Sequence, residues 1–317
     1  MLELTVRLGT RGSLLARQQA LSICAFLEAQ GVRVQVVIIQ TTGDQIQEVP
    51  LAQMGSKGLF TKELDQALLE GRIDLAVHSL KDLPTELPKG LVLAAIPERA
   101  SPWDVFVAHP SFSGTLADLP TGAVLATSSL RRQAQLRAWR ADVQVVSVRG
   151  NVDTRLRRLQ EKGWHGLILA EAGLMRLGRS EVIRERVPPE VMLPAVGQGA
   201  LGVVCNADNE RVCRLLEAMH HPPTAAAVRA ERAFLRALEG GCQVPVAALG
   251  KVEGSALVLR GRVVSLDGRW VIEGSRQGSI AAPEALGEAL AAELLTKGAR
   301  AILEEIRGAA PGQNAED

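Results

Sequence analysis

Tyrosine is absent from the 317 residues, and phenylalanine and tryptophan bring the aromatic share to only 3%. A single-stranded nucleic-acid surface needs aromatic platforms for its bases, so that function class is excluded. No run approaches 18 apolar residues, which excludes a transmembrane helix. Residues 1–7 show no basic stretch leading into an apolar run, so no signal peptide is expected. The four cysteines (Cys24, Cys205, Cys213, Cys242) form no C-x-x-C pair. That argues against a zinc site and a disulfide scaffold, and it fits a reducing cytosol. Lysine is scarce: 7 of the 36 basic residues are Lys and 29 are Arg.

What is present is hydrophobic substance, 47% against 22% charged, enough to bury two or three domain cores. The net charge is only +1, but it is unevenly placed. Arg131, Arg132, Arg137, Arg140, Arg149, Arg155, Arg157 and Arg158 crowd one stretch against Asp142 and Asp153. Arg binds carboxylate or phosphate through two parallel N–H bonds, so such a cluster suits an anionic ligand. A solvated helix face accounts for it equally well.

Over the first 220 residues, short β-branched runs alternate with helical patterns, which predicts parallel α/β sheets. Strands are expected at 4–8, 34–39, 74–78, 91–96, 105–108, 124–126, 144–148, 167–170 and 201–205. Helices are expected at 13–30, 59–70, 130–139, 152–162 and 208–219. The stretch Leu8-Gly9-Thr10-Arg11-Gly12-Ser13-Leu14 opens a helix after a strand, and Leu125-Ala126-Thr127-Ser128-Ser129-Leu130 does so again. A Val-Gln-Val-Val strand follows each, so two similar domains are expected. Beyond His220-His221-Pro222-Pro223, a helix capped by Thr224, strands at 244–252, 256–264 and 270–274, and a helix over 283–305 predict a small α+β unit.

Both echoes put hydroxyls where a strand ends and a helix begins. Free N–H groups and the helix dipole favour an anion there, and open α/β sheets bind ligands at that edge. Simple N-capping by Ser13 and Ser129 is compatible with this. Lys81 and Asp82, in His78-Ser79-Leu80-Lys81-Asp82-Leu83-Pro84, follow a strand in the same way, although a turn before Pro84 also explains them. Cys24, Cys205 and Cys213 lie in apolar patterns and read as packing residues. Cys242 lies in a Gly240-Gly241 loop after a helix, where the dipole raises a thiol's pKa. A single lasting bond needs no lowered pKa, so that role for Cys242 stays open. No phosphate-loop motif occurs. The polar stretch 42–57 reads as a mobile lid.

These segments resemble the hydroxymethylbilane synthase (porphobilinogen deaminase) family. The resemblance rests on Leu8–Ser13, on Ala76–Thr85, and on Thr127-Ser128-Ser129-Leu130-Arg131-Arg132. It also rests on Arg149-Gly150-Asn151-Val152-Asp153-Thr154-Arg155, Pro194-Ala195-Val196-Gly197-Gln198-Gly199 and Glu239-Gly240-Gly241-Cys242-Gln243-Val244-Pro245, all in order along the chain. It implies two α/β domains, like those of periplasmic binding proteins, around a cleft, plus a small C-terminal α+β domain. The domains would span 1–98 with 199–219, 102–194 and 222–308, before a disordered tail at 309–317. It implies a dipyrromethane cofactor joined by a thioether to Cys242. Four porphobilinogen molecules would be added with loss of ammonia, and water would release linear hydroxymethylbilane for haem and other tetrapyrroles.

By position, the resemblance makes Asp82 the catalytic carboxylate. Arg11, Ser13, Lys81, Ser129, Arg131, Arg132, Arg149, Arg155, Arg176 and Gln198 would bind substrate and cofactor carboxylates. Lys57 and Phe60 would belong to the lid, with Phe60 placed to stack on a pyrrole. Arg157, Arg158 and Asp153 are left as surface or capping residues. The expected partner is porphobilinogen, with no nucleic acid, membrane or metal, in a cytoplasmic monomer. Two rivals remain: a non-catalytic two-domain protein for a polycarboxylate or other anion, and a pyridoxal-phosphate enzyme using Lys81. The first gives no reason for Gly-Gly-Cys, and the second lacks a phosphate cup.

Overall fold

The computed structural model describes residues 5–45, 60–239 and 244–308. Lys57, Cys242 and the tail 309–317 lie outside the described residues, as does most of the expected lid.

The chain opens with a crossover unit of β1 (Thr5–Arg11), α1 (Leu14–Ala29) and β2 (Arg33–Ile39), the two strands parallel. Ser13 starts α1 by accepting the Ala16 N–H at 3.3 Å. Ala16, Ala20, Ile23 and Leu27 recur at helical spacing and form its buried face. After α2 (Thr42–Gln45) come α3 (Lys62–Leu69), β3 (Leu75–Ser79), a 3-10 turn at Leu80–Asp82 and β4 (Leu91–Ala95).

The second unit holds β5 (Asp104–Ala108), β6 (Val124–Ala126), α4 (Leu130–Trp139), β7 (Gln144–Val146), α5 (Val152–Lys162) and β8 (Gly166–Ala170). It ends with α6 (Glu171–Arg176) and β9 (Glu185–Arg186). The chain then returns to the first sheet as β10 (Leu201–Asn206), followed by α7 (Glu210–Glu217).

The two sheets share one design. Their orders are β2-β1-β3-β10-β4 and β7-β6-β8-β5-β9. In each, the first three strands are parallel and the fourth runs antiparallel to its neighbours. That fourth strand arrives by a crossover from the other unit, so the sequence echo is a structural repeat. Apolar side chains fill both faces of the first sheet: Val6, Leu8, Leu27 and Val203 on one, Leu64, Leu68, Ile73 and Val204 on the other. Cys24 and Cys205 pack inside the first of these cores, with Cys213 at its margin.

The last unit packs α8 (Pro222–Ala237) and α9 (Pro283–Leu294) against an antiparallel sheet of β11 (Val246–Glu253), β12 (Ala256–Val264) and β13 (Val271–Ser279). Phe234, Leu259 and Leu290 are fully buried between them. Three expectations are corrected here. His221, not Thr224, caps α8, its side chain accepting the Thr224 N–H at 3.3 Å. The helix expected over 283–305 breaks at Gly298, whose φ of 112° no helix holds, before α10 (Arg300–Gly308). The strand expected at 270–274 extends to Ser279, paired along its length with β12.

One helix of the third unit fastens the crossovers. Glu231, fully buried in α8, accepts from Arg99 Nη1 at 2.5 Å, Gly197 N at 2.7 Å and Gly250 N at 2.8 Å. The two crossovers meet backbone to backbone at Gly199, where a Cβ would lie 2.5 Å from the Ser101 carbonyl oxygen. No side chain fits there, which explains the glycine.

Candidate active site

The expected site residues gather at the C-terminal ends of the parallel strands. Arg11 ends β1, and the turn Leu80–Asp82 follows β3. Ser129 precedes α4, and Arg149, just beyond β7, precedes α5. Arg176 ends α6, which follows β8. Charges at these ends act on one another across the two units. Lys81, from the first, feels Asp82 and also Arg131, Arg132 and Asp104 of the second.

Asp104 is the centre of this constellation, and sequence reasoning missed it. It opens β5, an otherwise apolar strand, and is fully buried. Arg132 donates to its Oδ1 from Nε at 2.9 Å, with Nη2 2.7 Å away. Gln198 Nε2 donates to the same oxygen at 3.1 Å. Arg131 Nη1 forms an ion-pair contact with Oδ2 at 2.8 Å. Burial pushes the Asp104 carboxyl up, but the two guanidinium charges outweigh it and hold the pKa at about 2. Arg131 Nη1 also donates to Leu193 O at 2.7 Å, and Arg132 Nη1 to Ile168 O at 2.9 Å. A charged residue heading an apolar strand was the available signal.

Two guanidiniums against one carboxylate leave the cluster positive; burial, aided by Arg132 and Arg131 and opposed by Asp82 and Asp104, lowers Lys81 to about 8. As pH rises through that value Lys81 loses its cation, and with it any hold on the carboxylate that the family resemblance assigns to it. KM for a carboxylate substrate is expected to climb above pH 8 in the native protein. Lys81→Arg, which keeps its charge, should flatten that limb; an unchanged pH profile in this variant contradicts the assignment.

Asp82 is half-buried on a turn fixed from several sides. Leu80 N donates to Ala200 O at 3.0 Å, and Leu83 N to Leu80 O at 3.2 Å. From α8, Arg232 donates to Leu83 O at 3.1 Å and Pro84 O at 2.6 Å. Gly197 fits closely over the turn: a Cβ there would lie 3.3 Å from the Lys81 backbone nitrogen. Arg232 and Glu231, neighbours on α8, thus brace this turn and the crossovers respectively. Neither showed a motif in sequence.

The remaining candidates fall around this centre. Arg11 lies 4.2 Å above the Phe60 ring, a cation–π contact, so Phe60 stacks on a guanidinium here. Burial and the Arg11 charge push His78 down to about 4, which keeps it neutral. Ser13 serves as a cap, whereas the Ser129 side chain makes no cap hydrogen bond. Arg155 donates to Gly150 O at 2.8 Å, and burial beside Arg132 and Arg149 lowers it to about 10. Arg176 donates to Gly199 O at 2.8 Å. Arg157 and Asp153 make exposed pairs with Glu161 and Arg179. Among the described residues, no His, Cys, Asp and Glu cluster suits a metal, and no helix is long and apolar enough to cross a membrane.

Two matched α/β units, a third unit bracing the crossovers, and cationic strand ends around one acidic turn define an α/β protein of two matched sheet units with a small C-terminal unit. Residues 6–214 match the porphobilinogen deaminase dipyrromethane cofactor binding domain, and residues 225–296 match the C-terminal domain of that enzyme. The chain belongs to the porphobilinogen deaminase family, a family of transferases. It is 53% identical over 304 residues to the porphobilinogen deaminase of Moorella thermoacetica, covering 95% of this chain and 96% of that one. It is 54% identical to that of Desulforudis audaxviator, covering 96% and 99%. Among solved structures, a periplasmic solute binding protein from Desulfovibrio salexigens aligns with a TM-score of 0.44 at 13% identity, over 99% of both chains. Family membership along nearly the whole chain displaces both the non-catalytic and the pyridoxal-phosphate readings.

Proposed function

We propose that this chain adds four porphobilinogen molecules, with loss of ammonia at each step, to a dipyrromethane held by Cys242, and that water then releases hydroxymethylbilane. The observation that carries this reading is the set of Lys81, Arg131 and Arg132 by the acidic turn at Asp82, with Arg155 beside Arg132 and Arg149. Each pyrrole brings an acetate and a propionate, so a growing chain accumulates carboxylates. The donors fit such a group: they are cationic, they sit at strand ends and helix N-termini, and buried Arg131 keeps its Nε without a hydrogen-bond partner among the described residues.

When bound, the dipyrromethane supplies the primer for coupling. Arg and Lys side chains hold carboxylates and orient the incoming porphobilinogen. Asp82 is the carboxylate assigned to the cationic charge that develops, first on the methylene of the substrate as ammonia leaves and then on a pyrrole nitrogen. Its carboxylate offsets both charges and accepts the proton that the attacked ring's α-carbon gives up as the ring regains aromaticity. The protein is read as a cytoplasmic monomer that uses neither metal nor nucleic acid. The test is conversion of porphobilinogen by purified protein, followed by intact mass and product analysis. Protein that carries the primer and forms no hydroxymethylbilane overturns the reading.

The arginines should separate into two groups. Arg155, whose Nε donates to the nearby Gly150 carbonyl, should lose elongation when replaced by Leu with little change in Tm. A charge-assisted pair to ligand contributes about 1.5–3 kcal/mol. Arg132→Leu should lose activity and stability together, because it strands buried Asp104 with one cation fewer. Breaking a buried pair costs about 3–5 kcal/mol. Thermal melts alongside single-turnover mass spectra check both. A stable, fully active Arg132→Leu contradicts the assignment.

A further inference from the structure

The buried carboxylate of Asp104 belongs to no step above, yet three proposed ligand-binding side chains converge on it. Arg132 spends Nε and Nη2 on Asp104 and uses Nη1 for Ile168 O. Arg131 spends Nη1 on Asp104 and Leu193 O, which leaves its Nε unpartnered among the described residues though its side chain is 5% exposed. Gln198, from the returning crossover, spends its amide N–H groups on Asp104 and Pro102 O. A guanidinium binds a carboxylate best through two parallel N–H bonds on one edge. Fixing Nη1 to Asp104 therefore sets the plane of Arg131 and reserves its opposite edge.

We propose that Asp104 is a positioning residue: it locks Arg131, Arg132 and Gln198 so that the Nε edge of Arg131 is held ready for a pyrrole carboxylate. The inference rests on the proposed binding role of these arginines. Asp104 also neutralises one of two adjacent cations, so the pair assembles without full repulsion before ligand arrives. The same lock joins the second sheet to the crossover leading into β10, which places the fork relative to the Lys81–Asp82 turn.

The test compares Asp104→Asn, Asp104→Glu and Arg131→Leu with the native enzyme. The readouts are Tm, the fraction of chains carrying primer mass, kcat and KM per primer-loaded molecule, and the distribution of covalent intermediates. Asp104→Asn is expected to carry less primer and, in loaded molecules, to lose elongation on the order of 10²-fold, the scale of a ligand misplaced by about 1 Å. It should accumulate a stalled intermediate well below its Tm. Asp104→Glu keeps the charge but shifts it, and should lose about tenfold. A purely structural carboxylate lowers Tm and yield but leaves primer occupancy, kcat, KM and the intermediate pattern of folded molecules unchanged. That result overturns the inference. If Asp104→Asn does not fold, Asp104→Glu decides alone: native kcat and KM in the folded variant overturn the inference. Native elongation in Arg131→Leu defeats the arginine-binding reading itself. Stalled Arg131→Leu beside a native-like Asp104→Asn defeats only the role of Asp104.

Discussion

Asp82→Asn should fold, retain primer and substrate binding, and lose turnover by about 10²-fold or more, the scale of a general acid–base or electrostatic group. The turn that carries Asp82 is set by backbone contacts from Ala200 and by Arg232 on Leu83 O and Pro84 O, none of which uses the Asp82 carboxylate. An amide has nearly the same shape, so the turn should survive. It cannot offset a cation on the substrate methylene or accept the α-carbon proton that the coupled pyrrole loses. Asp82→Glu should be milder, because the charge is kept and moved by one methylene. The measurement is product formed from porphobilinogen by primer-loaded variants. Native turnover in Asp82→Asn would make Asp82 a turn residue only.

Loss of the Cys242 thiol should be as severe. Intact native protein is expected to exceed its sequence mass by two linked pyrroles, and Cys242→Ser should show the bare mass and no turnover. Cys242 lies outside the described residues, and the described residues on either side of it make contacts within the third unit. Arg307 pairs with Glu239 at 2.9 Å, and Val264 N donates to Pro245 O at 3.2 Å. Glu239 and Pro245, which flank Cys242 in sequence, belong to the unit that also carries Glu231 and Arg232. Active native protein of bare sequence mass would end the covalent assignment, whereas Cys24→Ser and Cys205→Ser should keep the added mass.

Elements whose information is local were legible in the sequence. The helices at Leu130–Trp139 and Val152–Lys162 coincide with their reading, because their helix-forming residues and, for the second, the Asn151 cap and the Gly163 stop are all local. The repeat was visible in the Thr-Ser turns and the Val-Gln-Val-Val strands, and the two sheets share one strand order. The two-residue strand β9 and the short helix α6 were not visible, since neither is long enough to show a period. Arg131 and Arg132 stood out as a basic pair, but their shared partner Asp104 is more than 25 residues away. Glu231 and Arg232 read as ordinary helix charges until folding set them against Gly197, Gly250 and the Asp82 turn. The sequence by itself determined which segments become strands and helices, and it carried the family motifs. Only the tertiary structure decided which charges are buried together. Local conformation depends on neighbours in the chain, whereas the field at a carboxylate depends on every charge within a few ångströms, whatever its place in sequence.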